Sequence, residues 1–407
     1  MADKSKIAKK AVKAVKKKAV AKAARTVERK AFRMKGWLLG LVLIVAGAGG
    51  AFTFVPEEKV PEQLEPLHST LLAWRNTAIA KVAPDTSRYD DTAVIEIPGR
   101  TPIKLYFAPS PNIKQGLCDF IAGAKSTIDI CIFDLDLNEV AKALIAAKAR
   151  KVSVRVVTDE DNVMMDAVEK LRNAGIRVVP DGRAALMHNK FVIADAKNVW
   201  TGSYNFTING TRKNDNNAVV IESPRIAACY QEKFNEYFNG KFGKKASLKT
   251  FGGSESFGEL ALRTAFSPAD GVRNLLLEEL SAARKSIRVM AFSFTDQQIA
   301  DKLAECAKKG IHVECLFDYG QANSKFSRSS YLRGCGIKIA MSPNRSGKMH
   351  HKVIIIDDET VITGSYNYSK NAENSNDENI LIIKNAKIAS RYFKEFKRCW
   401  RGTKGYM

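Results

Sequence analysis

The sequence predicts an α/β protein: two similar layered domains in tandem, related by a pseudo-twofold axis and preceded by one membrane-spanning helix. Three observations carry that expectation. A long block of the chain occurs twice, apolar β-rich runs alternate with helical patterns inside each copy, and one uncharged run of 20 residues stands near the amino terminus. At 407 residues and 45% hydrophobic content the chain can bury two cores of ordinary size, which excludes a disordered protein.

The amino-terminal part comes first. The first 55 residues hold fourteen Lys and Arg against Asp3 and Glu28, more than half of the formal net charge of +22, so the globular remainder is only moderately basic. Residues 1–35 form the basic tail. Residues 36–55 are uncharged, and at ~1.5 Å per residue that run crosses a bilayer core. Basic residues before it, with Glu57 and Glu58 after it, put the tail in the cytoplasm and the rest of the chain on the extracytoplasmic side. The small residues at 46–51 also suit a signal-peptidase site, and the Lys/Ala-rich tail also suits a transit peptide or a nucleic-acid-binding arm. Against these stand a charged region longer than most cleaved signals carry, far more lysine than arginine, and almost no serine. The reading adopted is a single-pass anchor whose tail rests on anionic lipid.

Residues 56–100, with proline, charge and one amphipathic stretch at 71–82, are expected to be a stalk. The chain then repeats. Ala124-Lys-Ser-Thr-Ile-Asp-Ile-Cys-Ile-Phe matches Ala283-Arg-Lys-Ser-Ile-Arg-Val-Met-Ala-Phe, and residues 187–221 match 349–383 without a gap. Units of this length are domains, placed at 101–240 and 261–407 with a Gly- and Lys-containing linker at 241–260. Within the first copy the runs 128–133, 152–158, 176–179 and 191–194 read as strands, and 137–150 and 162–174 as helices.

Seven cysteines include no Cys-x-x-Cys pair and do not cluster with histidine, so neither zinc nor dithiol redox chemistry is indicated; Cys131 and Cys315 read as buried small hydrophobes.

The chemistry sits in a doubled constellation: His-x-Lys, four residues, Asp, six residues, Gly-Ser-x-Asn. The first copy supplies His188, Lys190, Asp195, Ser203 and Asn205; the second supplies His350, Lys352, Asp357, Ser365 and Asn367. Alternate strand residues share a face, so each histidine points the same way as its lysine. Each aspartate falls at the turn closing a hairpin, and Gly-Ser-x-Asn returns a hydroxyl and an amide toward the same place. Two lysines, two asparagines and two serines around one phosphodiester would bind its nonbridging oxygens and stabilise a pentavalent transition state. Two histidines from opposite sides divide into a nucleophile, which forms a phosphohistidine, and an acid for the leaving oxygen. No carboxylate cluster for catalytic metals accompanies the motifs, so no metal and no cofactor are expected. Taken singly, each element is an ordinary strand or turn; duplicated together, they are not.

From about residue 105 to 400 this doubled pattern resembles the phospholipase D superfamily. The resemblance implies two α/β/α domains with one site at their interface, the two-histidine mechanism and no cofactor. Thr-Gly-Ser-Tyr-Asn-Phe-Thr and Thr-Gly-Ser-Tyr-Asn-Tyr-Ser, followed by Asn-Asp-Asn-Asn and Asn-Asp-Glu-Asn, look like the small bacterial endonucleases and the mitochondrial cardiolipin hydrolases. In those relatives a glutamate after Gly-Ser-x-Asn holds the catalytic histidine. Glu378 has that place in the second copy and Asn216 in the first, which favours His350 as nucleophile, whereas precedent favours the first histidine; the assignment stays open. His351 should face away from the site, and Asp195 and Asp357 should brace structure.

The motifs fit a phospholipid headgroup or a nucleic acid equally. The tether favours phospholipid, giving a membrane-anchored phospholipase D, with a tethered endonuclease as the alternative. Because the two copies pair within the chain, a monomer suffices.

Overall fold

The computed structural model describes residues 91–246 and 253–403; the basic tail, the expected membrane segment and residues 56–90 of the expected stalk lie outside them. Among the described residues no helix is long and apolar enough to cross a membrane.

The first half opens with β1 (Thr92–Ile95) and β2 (Ile103–Ala108), then α1 (Pro111–Gly123), β3 (Thr127–Ile132), α2 (Asn138–Ala149) and β4 (Ser153–Thr158). It continues through α3 (Asp166–Asn173), β5 (Arg177–Pro180), β6 (Lys190–Ala194) and β7 (Asn198–Gly202) to α4 (Ile208–Arg212), β8 (Asn216–Glu222) and α5 (Pro224–Phe238). The second half repeats this plan. It runs β9 (Ser254–Phe257), β10 (Leu260–Ser267), α6 (Val272–Ser281), β11 (Ser286–Ala291), α7 (Gln297–Lys308) and β12 (His312–Phe317). After α8 (Tyr319–Ala322), α9 (Ser329–Gly334) and β13 (Lys338–Met341) come β14 (Lys352–Ile356), β15 (Thr360–Gly364), α10 (Lys370–Asn374), β16 (Glu378–Lys384) and α11 (Ala386–Trp400).

The duplication read from the sequence reappears as two eight-stranded sheets of the same order, β1-β2-β8-β7-β6-β3-β4-β5 and β9-β10-β16-β15-β14-β11-β12-β13. Only β3, β4 and β5, and their counterparts β11, β12 and β13, run parallel to one another. Each half buries its own apolar core where α1 to α3, or α6, α7 and α9, cover one sheet face. A third core lies between the halves and contains Ile226, Tyr230 and Phe234 of α5 with Ile388, Tyr392 and Phe396 of α11. Helix α5 packs on β10 of the second half and α11 on β1 of the first, so each sheet lies between helices and the two halves share one interior.

Two expectations need correcting. Thr92–Ile95 falls in the stretch read as stalk, yet it is the edge strand of the first sheet, paired with β2. Ser254–Phe257 falls in the expected linker and is the corresponding edge of the second, paired with β10. Both are four residues long, too short to display a period-two pattern, and both are held by main-chain pairing to a neighbour. The inner strands and helices fall within a few residues of their expected places because the strands are short, nearly continuous buried runs and the helices bury one periodic face.

The hairpin turns explain the motif aspartates. Asp195 and Asp357 both adopt φ of 55°, a left-handed turn conformation that aspartate tolerates. The Asp195 carboxylate accepts the backbone N–H groups of Lys125, Ser126 and Thr127 at 2.7 to 3.1 Å, and Asp357 accepts those of Arg284, Lys285 and Ser286 at 2.7 to 2.9 Å. Each aspartate thus pins the start of β3 or β11 to the hairpin bearing the histidine. Partial burial opposes ionisation of Asp195, but the N–H bonds outweigh it and hold the carboxyl down at about 2. Asp195→Ala should therefore cost about 1–3 kcal/mol of stability in chemical denaturation. A depressed pKa contributes stability above the unfolded-state value near 4 and loses it as pH falls. The gap between wild type and variant should accordingly close between about pH 4 and pH 2.

Candidate active site at the junction of the halves

Strand register brings the motif residues to one sheet edge. Lys190 pairs with Ile132, so the amino-terminal end of β6 meets the carboxy-terminal end of β3, and Lys352 likewise pairs with Ala291. The next step places Phe133 opposite Asn189 and Phe292 opposite His351, through N–H···O bonds of 3.1 and 2.9 Å. Gly202 and Gly364 end β7 and β15 with φ of 149° and 140°, and a Cβ there would lie 2.3 and 2.2 Å from the carbonyl oxygens of Asn217 and Asn379. Only glycine permits that approach, which brings the following Ser-x-Asn beside the starts of β8 and β16.

The two halves then exchange support. The backbone N–H of His188 donates to the Asp377 carbonyl and that of His350 to the Asp215 carbonyl, each at 2.9 Å. In the side chains, Nδ1 of His188 lies 2.7 Å from Oε2 of Glu378, and Nδ1 of His350 lies 2.9 Å from Oδ1 of Asn216. Both partners are oxygen acceptors, so Nδ1 carries the hydrogen in each ring and Nε2 offers its lone pair. The exchange is reciprocal but chemically unequal. Glu378 serves the histidine of the other half, not the one in its own copy, which reverses the premise that had favoured His350 as the carboxylate-supported ring.

Each histidine also contacts an aromatic ring. Phe133 stands edge-on to His188 at 5.0 Å between centroids, with Lys190 Nζ 4.9 Å from the Phe133 ring centre; Phe292 repeats this with His350 at 4.9 Å and Lys352 at 5.0 Å. These phenylalanines were not singled out from sequence, although both close the same repeated block. Each lysine donates to the backbone carbonyl of its own histidine, Lys190 at 2.5 Å and Lys352 at 2.9 Å.

Electrostatics mark this as one site. Burial pushes His188 down to about 4, with Glu378 opposing; burial and then Lys352 and Lys190 press His350 far below the usual imidazole value, and its Nδ1 partner is the Asn216 amide, not a carboxylate. Burial likewise brings Lys190 down to about 7 against Glu378 and Asp134, and Lys352 well below the ordinary ammonium value. Both rings are therefore neutral near pH 7, in a cradle that rewards an anion, because a bound negative charge restores the lysines. The Oδ1 atoms of Asn205, Asn367 and Asp134 are buried without a hydrogen-bond partner, so each side chain keeps a spare acceptor.

Ser203 and Ser365 stand differently from the expected phosphate ligands. The Ser203 hydroxyl donates to Asn216 Oδ1 at 3.0 Å and accepts the Asn217 N–H at 3.1 Å; Ser365 accepts the Asn379 N–H at 3.0 Å. Both are fully buried and hold the acceptor strand in place. His351 faces away from the site as expected, between Asn217 at 3.0 Å and Glu395 at 3.0 Å. There the fold creates a cluster that sequence distance concealed: His351, Glu395 and Cys399 are spaced to hold a metal ion. They fit one poorly, because the Arg398 guanidinium already supplies the cation, donating to Glu395 at 2.7 Å and to Asp215 at 2.5 Å.

Comparison with known proteins agrees with this geometry. The family described as "Cardiolipin synthase, PLD-like domain" matches residues 117–238 and again 276–400, once in each half. The phospholipase D of Rickettsia bellii is 32% identical over 133 residues, 33% of this chain and 66% of that protein. The mitochondrial cardiolipin hydrolase of Chlamydomonas reinhardtii is 29% identical over 135 residues, again 33% of this chain and 60% of that protein. The chain thus spans slightly less than two thirds of these relatives. The solved phosphatidylserine synthase of Haemophilus influenzae, 15% identical, superposes with a TM-score of 0.59 over 74% of this chain and 87% of its own, a likeness of fold. With the family's domain matched in both halves over more than half of the sequence, the chain belongs to the phospholipase D superfamily.

Proposed function

We propose that this chain is a membrane-anchored phospholipase D that hydrolyses phospholipid headgroups through a phosphohistidine on His188. The crossed pair His188–Glu378 carries the mechanistic part. When Nε2 of His188 attacks phosphorus, the ring gains positive charge, and a carboxylate 2.7 Å from its Nδ1 stabilises that charge where the Asn216 amide could not. The phosphorus–oxygen bond to the headgroup breaks, and the leaving oxygen takes a proton from Nε2 of His350. Water then gives a proton back to His350 and attacks phosphorus, releasing phosphatidate and restoring His188. His350 must be charged for the first step. An anionic phosphodiester about 4 Å away supplies ~4 kcal/mol at an effective dielectric of 20, enough to raise its protonation midpoint by about three pH units. Lys190, Lys352, Asn205 and Asn367 hold the nonbridging oxygens.

The lipid reading is supported by an acidic lip. The turn after β4 exposes Glu160 and Asp161, follows the buried Asp159, and carries no basic residue. A polynucleotide must lead phosphates away from the scissile bond on both sides, and such a lip repels one arm. A phospholipid presents a single diester. The uncharged run at 36–55 supports an anchor that keeps the site beside its substrate.

The full-length chain, assayed with EDTA on phospholipid vesicles and in parallel on single- and double-stranded nucleic acid, should release headgroup and phosphatidate at an undiminished rate. Activity abolished by the chelator would sink the metal-free mechanism, and cutting confined to nucleic acid would sink the lipid assignment.

A further inference from the structure

The halves present different chemistry at the mouth of the shared site. Where the first half has the acidic turn after β4, the second half's stretch 318–328 after β12 carries Lys325 and Arg328 with one carboxylate, Asp318, and adds two exposed aromatic side chains, Tyr319 at 45% and Phe326 at 62%. The segment before His350 brings exposed Arg345 and Lys348. The repeat counterpart of Arg345 is Arg183, which is folded onto Asp181 and Asp377, and that of Lys348 is Leu186.

Hydrogen bonds tie this lip to the site. Met349 N–H donates to Asp318 Oδ2 at 3.1 Å, joining the start of the turn to the residue before His350. Arg328 N–H donates to the Phe294 carbonyl at 3.0 Å, joining its far end to the loop that carries Phe292. Lys348 Nζ lies 5.3 Å from the Phe292 ring centre, and that ring packs tilted against His350 with centroids 4.9 Å apart. Single exposed apolar side chains are ordinary. Here both fall within one short turn at the site's mouth, and each ring bears a cation, Arg345 at 3.3 Å from the Tyr319 centre and Lys325 at 5.0 Å from that of Phe326. A ring that can sink to the acyl boundary beside a cation that can meet lipid phosphate is the combination of an interfacial anchor. Single-stranded nucleic acid also stacks on aromatic rings, and here one face of each ring is already taken by a cation.

We propose that 318–328, with Arg345 and Lys348, is the surface by which the second half docks on an anionic phospholipid bilayer, leaving the acidic lip of the first half turned away from it. This rests on the lipid reading above. It orients the tethered protein, bringing a headgroup in from the His350 side.

The test uses the full-length chain with Phe326→Ser, Lys325→Glu and Arg345→Glu. Met164→Ser is the control, since Met164 is 81% exposed on the acidic turn. Each is assayed on vesicles of phosphatidylethanolamine and phosphatidylglycerol, on a monomeric short-chain phospholipid, and on a single-stranded oligonucleotide. The three second-half variants should lose about tenfold on vesicles, the size of one partly inserted ring or one lost lipid contact. They should keep the wild-type rate on monomeric lipid, while Met164→Ser changes neither. Equal rates on vesicles, equal losses on both lipid forms, or the same loss in Met164→Ser would overturn the docking surface while leaving the lipid activity standing. A loss confined to oligonucleotide cutting would assign the lip to nucleic acid. A wild type inactive on both lipid forms would remove the lipid reading and the docking surface together.

Discussion

His188→Ala is expected to lower turnover by roughly 10⁵-fold on every substrate, whereas His350→Ala should block the first step by that margin only when the leaving alcohol needs a proton. The difference follows from the roles of the two rings. Without His188 no bond to phosphorus forms. Without His350 a diester bearing p-nitrophenol, a leaving group that departs unprotonated, should still phosphorylate His188 and release one equivalent of nitrophenol in a burst. The second step then stalls, because no base remains to take the proton from water. The acid-labile, alkali-stable adduct should be found on the peptide carrying His188. Both rings are buried and held at Nδ1 from the opposite half, so neither alanine variant should lose the fold outright, and circular dichroism and thermal melting separate chemistry from unfolding. A burst in His188→Ala with none in His350→Ala would reverse the assignment.

Much of this site is legible in the sequence because the repeat does the work of a second sequence. His188 and His350, Lys190 and Lys352, and Asn205 and Asn367 stand at one repeat offset, and alternation along a strand places each histidine beside its lysine. The aspartates could be read as braces because a turn residue with a short acceptor side chain commonly ties down neighbouring N–H groups. What sequence proximity hides is which half supports which ring. Glu378 is 28 residues from His350 and 190 from His188, yet it bonds to His188 because the start of β16 crosses the junction. Within each half, the close approach at Gly202 and Gly364 buries the serine hydroxyls against β8 and β16, which no local pattern announces. Lys-Phe and His-Phe contacts in both halves were visible in principle, since the matched blocks end on Phe133 and Phe292. An aromatic residue closing a buried strand, however, reads first as core.

Glu378→Gln is expected to reduce kcat by about 10²-fold on phospholipid while leaving KM nearly unchanged, the effect of removing one charge-assisted hydrogen bond that strengthens as His188 becomes cationic. Glutamine is nearly isosteric and still accepts from Nδ1, so the ring keeps its orientation and only the charge is lost. The pH profile separates this from a packing defect. Burial holds His188 at about 4, and Glu378 is the principal group raising it; with a neutral amide the value falls further. Because the nucleophile must be unprotonated, wild-type kcat/KM should decline below about pH 4, and in the variant that acidic limb should move to lower pH even as the plateau drops. A mispacked site would lower the plateau and leave the limb where it was. Glu378→Asp restores the carboxylate on a shorter stem and should recover part of the rate, whereas Asn216→Ala, which removes only an orienting amide from His350, should cost about tenfold. If Glu378→Gln were as active as wild type, or if Asn216→Ala were the more damaging of the two, His188 would not be the ring that carries charge in the transition state.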